Sequence, residues 1–338
     1  MNTLRWGIIG CGDVTEVKSG PALQKATGSA LVAVMRRDGE RAKDYARRHG
    51  VPRWYDDADA LIRDPQVDAV YVATPPSSHT EYAVRVAAAG KPVYVEKPMA
   101  RNFDECRRMI DACRAARGGA GVPLFVAYYR RRLPRFLRVK QLLDDGAVGP
   151  VRFVTVTLYQ RPNPNETDRA NLHWHVVPQV AGSGRFMDLA SHMLDILGYL
   201  LGDITEAGGT AANQAGLYDA EDVVTGHWAH AGGALGTGVW CFTSYDREDR
   251  IEIVGDKGVI TFSCFGTEPV RLQTAAGPRE FPEPTPEHIQ QPLIQTVVDE
   301  LNGAGKCPST GETAARTNWV MDRMLAAWRA AHPEQAPA

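Results

Sequence analysis

The sequence predicts an α/β protein with two domains: an N-terminal domain built on a parallel sheet, and a C-terminal α+β domain with a large, mostly antiparallel open sheet. The chain has 338 residues, more than one ordinary hydrophobic core accommodates. In the first 125 residues short apolar strands alternate with helices, the pattern of a parallel sheet with right-handed crossovers. Later strands follow one another through short turns, which favours antiparallel pairing. We therefore place the domains at residues 1–125 and 126–338.

Composition and charge exclude several classes of protein. Hydrophobic residues make up 44% and charged residues 23% of the chain, as in ordinary globular proteins, and the net charge of −2 offers no basic surface for nucleic acid or an anionic membrane. No apolar run approaches the roughly 20 residues that span a bilayer. Six cysteines lie without a C-x-x-C pair, and the N-terminus carries no export signal. We expect reduced thiols in a cytoplasmic protein.

The first strand, residues 4–9, leads into a glycine turn and a helix. A G-x-G turn lets the backbone approach a pyrophosphate, whose charge suits the N-terminus of the next helix. The third glycine of the dinucleotide fingerprint is replaced by Thr15, which we expect to loosen the packing of helix on strand. An ordinary turn is the alternative, but its place between strand and helix favours a dinucleotide site that comprises Gly10, Gly12, Asp13 and Val14.

The second strand, residues 30–35, ends in two basic residues. This position normally carries an acid that binds the ribose hydroxyls of NAD. Here Arg36 and Arg37 stand in its place and could grip a 2′-phosphate, so we favour NADP(H) over NAD(H). Two solvated arginines are the alternative, with Asp38 left to serve as the acid.

The alternation of strand and helix continues along the first domain. Ser77 or Ser78 is a good N-cap for a helix that runs to Ala89, and the Thr74-Pro75-Pro76 turn before it lies at the sheet edge expected to hold the nicotinamide ribose. The other predicted elements are helices at 40–49, 57–64 and 103–116 and strands at 53–55, 67–73, 93–95 and 124–128. Together these elements predict a Rossmann domain.

The strand at residues 93–95 ends abruptly in Glu96, Lys97 and Pro98. The carboxyl ends of parallel strands form the edge where ligands bind in open α/β sheets. Pro98 removes a backbone donor and keeps Lys97 extended, which fixes the direction of the chain. A lysine held there is a candidate acid or base, although a solvated Glu96–Lys97 pair is the favoured interpretation when the hexapeptide is taken alone.

The second domain reads as one helix followed mainly by strands. A helix at 135–145 precedes predicted strands at 151–160, two within 223–245, and others at 250–254, 258–263 and 270–274. Helices at 186–201, 289–302 and 313–330 are expected to cover one face of the sheet. The opposite face then needs a partner, so we expect a homo-oligomer, a dimer or tetramer, formed through the open face.

A polar stripe marks the helix at 186–201. Asp188, His192 and Asp195 follow an i, i+4, i+7 spacing, so they share one face of a helix that is otherwise largely apolar. Such a stripe is unfavourable unless it is paired or faces a cleft. A hydrogen-bonded core histidine is the alternative reading of His192. Because no further ligand set with convincing spacing appears around it or around His173 and His175, we predict no metal site.

Taken together, the glycine turn, the Glu-Lys-Pro sequence and the Asp-x-x-x-His-x-x-Asp helix resemble the Gfo/Idh/MocA family over nearly the whole chain. The resemblance implies an NAD(P)-dependent oxidoreductase that exchanges a hydride with a secondary alcohol or ketone of a sugar, inositol or related polyol. It implies a catalytic pocket formed by Lys97, Asp188 and His192. It also implies cofactor contacts, which are Gly10, Gly12, Arg36, Thr74, Pro75, Pro76, His79 and Glu96, with Lys97 beside them.

The sequence departs from the family pattern at the substrate pocket. A Trp-Arg pair common in the family reads Trp174-His175, and the Gly-rich segment before the catalytic helix reads Gly182-Ser183-Gly184. The substrate of a relative therefore should not be transferred to this chain. Stacking and hydrogen-bonding surfaces for a hydroxylated ring are expected from Tyr128, Tyr159, Arg161, Trp174 and His175.

The predicted mechanism gives two side chains a role at the reacting oxygen. His192 carries the alcohol proton as general acid/base, since an unperturbed imidazole titrates near pH ~6.5. Lys97 hydrogen-bonds the same oxygen and either stabilises alkoxide charge or relays the proton. Asp188 orients His192 or binds a neighbouring hydroxyl. Two alternatives stay open: NAD-dependent glycoside hydrolysis on the same scaffold, and a non-catalytic regulator that binds dinucleotide.

Overall fold

The structure is a computed structural model that describes residues 3–335. Within that range the chain forms two compact units. The first unit comprises residues up to Tyr129 together with Pro286–Ala315, and the second comprises Arg130–Thr285 together with the residues from Arg316 onward. The chain therefore leaves the first unit after Tyr129, returns to it at Pro286 and leaves it again after Ala315.

A six-stranded parallel sheet forms the centre of the first unit, with strand order β3-β2-β1-β4-β5-β6. The strands are short and apolar, and those in the middle are buried throughout, as expected for a sheet covered on both faces. Their bounds are β1 Leu4–Ile9, β2 Ser29–Met35, β3 Arg53–Tyr55, β4 Ala69–Val72, β5 Val93–Val95 and β6 Leu124–Val126. The predicted Rossmann-type sheet is confirmed.

Helices connect these strands in the predicted order. They are α1 Gly20–Lys25, α2 Gly39–His49, α3 Ala58–Arg63, α4 His79–Ala88 and α5 Phe103–Ala115. The expected cap of α4 takes another form, because the Ser78 hydroxyl donates to Thr74 Oγ1 at 2.8 Å and accepts no bond from the helix. It stabilises the turn before the helix instead.

The segment that returns to the first unit includes a helix, α9 Gln291–Leu301, that was expected to cover the second sheet. This expectation was wrong. The Gln295 side chain accepts a bond from the Thr27 backbone N–H at 2.8 Å and donates to the Thr27 carbonyl, so α9 packs beside α1. The amphipathic pattern of a helix shows which face is buried, but it does not show against which layer.

The second unit is built on an eight-stranded sheet with strand order β14-β13-β12-β11-β7-β10-β9-β8. Neighbours pair antiparallel except β7 and β10, which pair in parallel, so the sheet is mostly antiparallel as predicted. The strands are β7 Val151–Tyr159, β8 Ile204–Ala212, β9 Val223–His230, β10 Leu235–Cys241, β11 Glu248–Gly255, β12 Gly258–Phe262, β13 Val270–Thr274 and β14 Gly277–Phe281.

Helices of the second unit cover one face of this sheet. They are α6 Pro134–Asp144, α8 Arg185–Leu201 and most of α10 Gly311–Ala331, where Met324 packs against glycines of β8 and β9. The short α7 Pro178–Ala181 precedes α8 and contacts the 3₁₀ turn at Trp174–Val176. The α8 helix is buried on most of its surface. None of the helices in residues 3–335 has the length and apolar character that crossing a membrane requires.

Candidate active site

The loop after β1 leaves the backbone open at the position where a pyrophosphate is expected. Gly10 adopts a φ of +90°, and a Cβ there would lie 2.6 Å from Thr74 Cγ2. At Gly12 an added Cβ would meet only the Gly10 carbonyl oxygen, at 3.9 Å. The first glycine thus permits the turn and the second leaves free space beside the chain. Asp13 is exposed and Val14 half-buried on the same loop. These residues fit a bound dinucleotide.

Thr15 begins a five-residue π-helical turn, Thr15–Ser19, that precedes α1. Its side chain is fully buried and donates to the Gly12 carbonyl at 2.7 Å, and Tyr45 Oη donates to the Thr15 carbonyl at 2.8 Å. The closest packing around this helical turn is at Gly20 and not at the third fingerprint position. A Cβ at Gly20 would lie 2.3 Å from both the Thr15 carbonyl and Tyr45 Oη. A threonine at the third fingerprint position is therefore accommodated by a wider helical turn.

The end of β2 keeps its basic character in the structure. Arg36 is half-buried and its Nη1 donates to the Cys11 carbonyl of the glycine turn at 3.3 Å, while Arg37 is exposed. Asp38, the alternative ribose acid, caps α2 by accepting from the Arg41 backbone N–H and pairs with the Arg41 guanidinium, both at 3.2 Å. The carboxylate is thus engaged by its own helix. Arg36, in contrast to Asp38, lies beside the glycine turn.

His79 ties two turns together at the same edge of the sheet. Its Nε2 lies 2.6 Å from the Thr74 carbonyl, and its Nδ1 lies 3.1 Å from the Pro98 carbonyl. Burial lowers the pKa of this fully enclosed imidazole, and the contacts with the backbone carbonyls oppose that shift. His79 therefore holds the Thr74-Pro75-Pro76 turn against the segment that follows β5.

Glu96 is the centre of a buried hydrogen-bond network at the end of β5. Its Oε1 accepts from Tyr71 Oη at 2.5 Å and from Gln290 Nε2 at 2.7 Å, and its Oε2 accepts from the Lys97 backbone N–H at 3.0 Å. Burial and the nearby carboxylate raise the pKa of Tyr71 well above its usual value. The network fixes the backbone from which the half-buried Lys97 extends, before the cis Lys97-Pro98 peptide.

Two residues of the polar stripe of α8, Asp195 and His192, have different surroundings. Asp195 is fully buried and accepts two bonds from Arg131, Nε to Oδ2 at 2.9 Å and Nη2 to Oδ1 at 2.6 Å, and burial raises its pKa. It holds the helix against the start of the second unit. His192 is 3% exposed, with its ring 5.9 Å from that of Phe265 in an edge-on arrangement.

Asp188 lies one turn before His192 in a second charged group. Arg185 Nη1 donates to Asp188 Oδ2 at 3.2 Å, and His175 Nε2 lies 3.8 Å from the same oxygen. Arg185 also binds both carboxylate oxygens of Glu166. Arg185 therefore links Asp188 to the irregular segment that contains Glu166 and His175.

The remaining predicted residues occupy varied positions. Tyr128 is fully buried in the core of the first unit, and Tyr159 is half-buried at the end of β7. Trp174 and His175 lie in a 3₁₀ turn with ring centroids 3.8 Å apart. The predicted catalytic residues belong to both units, Lys97 to the first and Asp188 and His192 to the second.

Comparison with known proteins decides the family. Residues 4–123 match the family described as "Oxidoreductase family, NAD-binding Rossmann fold", and residues 136–261 match the Gfo/Idh/MocA C-terminal domain. The chain belongs to the Gfo/Idh/MocA family. It is an oxidoreductase of the dehydrogenase/reductase type with an NAD-binding domain, which confirms the predicted fold, family and enzyme class.

Family relatives cover nearly the whole chain. Oxidoreductase P35 of Formosa agariphila is 37% identical over 94% of this chain and 97% of its own. The 1,5-anhydro-D-fructose reductase of Ensifer adhaerens is 28% identical over 98% of this chain and 97% of its own. A crystal structure of aldose-aldose oxidoreductase from Caulobacter crescentus, complexed with glycerol, aligns with a TM-score of 0.83 at 26% identity and covers 98% of each chain.

Sequence reasoning missed several residues that shape the site. Gln290 lies 194 positions from Glu96, and no local pattern signals the return of its segment to the first unit. Glu166 lies in an irregular segment without hydrophobic periodicity. Its proximity to Arg185, His173 and His175 therefore could not be predicted from the sequence. The close contact at Gly20 could have been predicted from the sequence. Thr15 replaces the third fingerprint glycine, and a glycine five residues later leaves room for the bulkier residue.

Proposed function

We propose that this Gfo/Idh/MocA oxidoreductase exchanges a hydride between NADP(H) and a secondary alcohol or ketone of a sugar, inositol or related polyol. The observation that carries the proposal is the Glu96 network, which fixes the backbone at Lys97 at the end of a strand of an NAD-binding sheet. The names of two relatives, an anhydrofructose reductase and an aldose-aldose oxidoreductase, support a sugar-like substrate.

The residues of the first unit account for dinucleotide binding in this proposal. Gly10, Gly12, Asp13 and Val14 hold the pyrophosphate against the helical turn that follows. Arg36 and Arg37 receive the 2′-phosphate, because a guanidinium offers paired donors and Asp38 is occupied as a helix cap. Thr74, Pro75 and Pro76 support the nicotinamide ribose, with His79 holding their turn in place and Glu96 beside them. The chemistry that the dinucleotide supplies when bound is the acceptance or release of a hydride.

Proton handling falls to two side chains in the same proposal. The His192 imidazole takes up the alcohol proton on oxidation and returns it on reduction. The Lys97 Nζ donates a hydrogen bond to the same oxygen and stabilises negative charge as it develops there. Asp188, which Arg185 orients, binds a neighbouring hydroxyl or orients His192, and Tyr159, Trp174, His175 and Tyr128 shape the surroundings.

A homo-oligomer formed through the open face of the second sheet is part of the proposal. Leu235 on β10 and Phe153 on β7 are cross-strand partners, 60% and 44% exposed. Two large apolar side chains side by side on a sheet face favour burial against a second copy.

A substrate screen tests the proposed reaction. Polyols and keto-sugars are incubated with NADP(H) and, in parallel, with NAD(H), and the absorbance of the reduced nicotinamide is followed. The proposal expects turnover with at least one hydroxylated substrate and a lower KM for NADP(H). Turnover of a glycoside with no net change in that absorbance would favour the hydrolytic alternative.

A further inference from the structure

Three potential metal ligands converge in the second unit, in a segment near Asp188 that includes His175, one of the residues proposed to surround the substrate. Glu166, His173 and His175 each offer one ligand atom, and these atoms all lie within 4.8 Å of one another. Glu166 is 3% exposed, so its carboxylate is held in place rather than solvated. Two imidazoles with one carboxylate form a ligand set typical of divalent transition metals.

The two imidazoles face each other through the same type of nitrogen. His175 Nδ1 lies 2.7 Å from His173 Nδ1, and the His175 backbone N–H also points to His173 Nδ1, at 3.5 Å. An N–H of one ring that donates to the lone pair of the other explains this separation without a metal, and a metal ion bound by both lone pairs is the alternative. Tetrahedral bonds of ~2.0 Å place ligand nitrogens about 3.3 Å apart, so a metal requires the rings to open by about 0.6 Å.

The other nitrogen of His175 has a carboxylate beside it. His175 Nε2 lies 3.8 Å from Asp188 Oδ2. Metal-bound histidines commonly direct their second ring N–H to a carboxylate, which fixes the tautomer and leaves the first nitrogen deprotonated. The 3.8 Å separation is longer than a hydrogen bond, so Asp188 acts on Nε2 through its charge, and a proton on Nε2 would leave Nδ1 to bind a metal.

Glu166 retains capacity for a metal although it is already hydrogen-bonded. Arg185 Nε donates to Oε2 at 3.0 Å, Arg185 Nη2 donates to Oε1, and Asn163 Nδ2 donates to Oε1 at 3.3 Å. An ionised carboxylate has about four lone-pair sites, so one remains on Oε2. Glu166 and Asp188 together with Arg185 leave one net negative charge when both histidines are neutral, which favours a cation.

We propose that Glu166, His173 and His175 bind one Zn²⁺ ion per chain, with Asp188 and Arg185 orienting the ligands. Zinc accepts mixed nitrogen and oxygen ligands in tetrahedral geometry and leaves a fourth position for water. The ion would tie the irregular segment that contains Glu166 to the turn that contains Trp174. The inference goes beyond the proposed hydride exchange and does not rest on it.

Calorimetric titration of the full chain with Zn²⁺, after chelator treatment and without nucleotide or substrate, tests the proposal. We expect one saturable site with a micromolar or lower Kd. His173→Asn and His175→Asn should each weaken binding by at least the roughly 10- to 100-fold that loss of an outer-shell partner causes. His227→Asn, which changes an exposed histidine of β9 in the same unit, serves as the matched control and should bind like the wild type.

Two results would overturn the proposal. One is the absence of saturable binding by the wild type, which leaves a shared proton between the histidines. The other is unchanged affinity in both His173→Asn and His175→Asn. Circular dichroism checks that each variant is folded, and Glu166→Gln, which keeps the size of the side chain, provides a further variant in which binding should weaken. Because the assay contains no dinucleotide, its outcome is independent of the oxidoreductase activity.

Discussion

At the scale of single residues, the hydrogen-bond network of Glu96 supports the role proposed for Lys97. A lysine at a strand end is ordinarily a solvated charge, but here three donors fix the preceding carboxylate, and two of them come from other segments of the first unit. The backbone at Lys97 is therefore held in one position. Preorganised donors stabilise developing charge more effectively than mobile ones do, because they need no reorganisation during the reaction.

The proposed proton-handling residues are tested by neutral substitutions. His192→Asn and Lys97→Met should each lower kcat by ~10²–10⁴-fold, the range typical of general acid–base groups. Steady-state kinetics with a substrate from the screen measure the effect. Lys43→Met, at an exposed position on α2, is the matched control and should keep wild-type kcat. Full turnover in both active-site variants would show that the assignment is wrong.

Cofactor preference depends on Arg36 in the proposed function. Arg36→Ala removes a guanidinium that would bind the 2′-phosphate, and a hydrogen bond to a charged group contributes ~1.5–3 kcal/mol. We expect KM for NADP⁺ to rise by about 10- to 100-fold while KM for NAD⁺ changes little. Arg63→Ala, on the exposed surface of α3, should alter neither value. Equal increases for both dinucleotides would remove the role assigned to Arg36.

At the scale of secondary-structure elements, the crossover after β1 combines a π-helical turn with a close glycine contact. Gly20→Ala places a Cβ 2.3 Å from two oxygens and should destabilise the protein by ~1–3 kcal/mol, as overpacking of a filled interior does. Gly198→Ala, in α8, meets nothing within 4 Å and should stabilise by up to ~1 kcal/mol. Chemical denaturation measures both. A neutral Gly20→Ala would contradict the packing argument.

The end of β9 contains a histidine that must stay neutral. His230 Nδ1 lies 2.8 Å from the Gly202 carbonyl and His230 Nε2 accepts from Trp228 Nε1 at 3.1 Å, so the second ring nitrogen has no room for a proton. Burial lowers the pKa of His230 below its usual 6.5. The unfolded chain therefore binds more protons below about pH 6.5, and stability falls as the pH drops from there towards the folded-state pKa.

Acid sensitivity is the measurable consequence of this arrangement. Between about pH 6.5 and the folded-state pKa, a histidine that is neutral in the folded protein lowers the unfolding free energy by up to about 1.4 kcal/mol for each pH unit of acidification. His230→Gln can donate to Gly202 and accept from Trp228 without titrating. Between pH 7.5 and 5.5 we expect the variant to lose less stability than the wild type. The same loss in both proteins would contradict the assigned role of His230.

The elements also show what sequence can and cannot predict. β1 and β13 match their predicted bounds because turn residues flank both strands, β1 being largely apolar and β13 alternating between apolar and polar residues. β8 and β14 were missed. Both are edge strands, one with two consecutive glycines and the other with a proline, and neither alternates clearly because an edge needs less burial.

At the scale of the whole molecule, local patterns give the order of elements but not distant contacts. The Rossmann sheet and the polar stripe of α8 were predictable, since strand alternation and helical spacing reveal them. The return of residues 286–315 to the first unit was not, because it depends on side chains such as Gln290 meeting partners nearly 200 positions away. The grouping of Glu166 with the histidines was hidden for the same reason.

The open face of the second sheet gives a prediction about assembly. Leu235→Lys combined with Phe153→Lys places two charges on neighbouring strands and should convert an oligomer into smaller species. Light scattering coupled to size-exclusion chromatography measures the mass. Val84→Lys, at a partly exposed apolar position of α4, is the control and should keep the wild-type mass. A wild-type monomer, or an unchanged mass in the double variant, would contradict an interface on this face.

The central claim, hydride exchange between a carbinol carbon and a nicotinamide dinucleotide, is tested most directly by isotope transfer. A polyol identified in the screen is labelled with deuterium at the carbinol carbon and incubated with the enzyme and NADP⁺, and the reduced dinucleotide is analysed by mass spectrometry. The account predicts that the deuterium appears in the reduced nicotinamide in step with ketone formation. Product formed without label in the dinucleotide would contradict it.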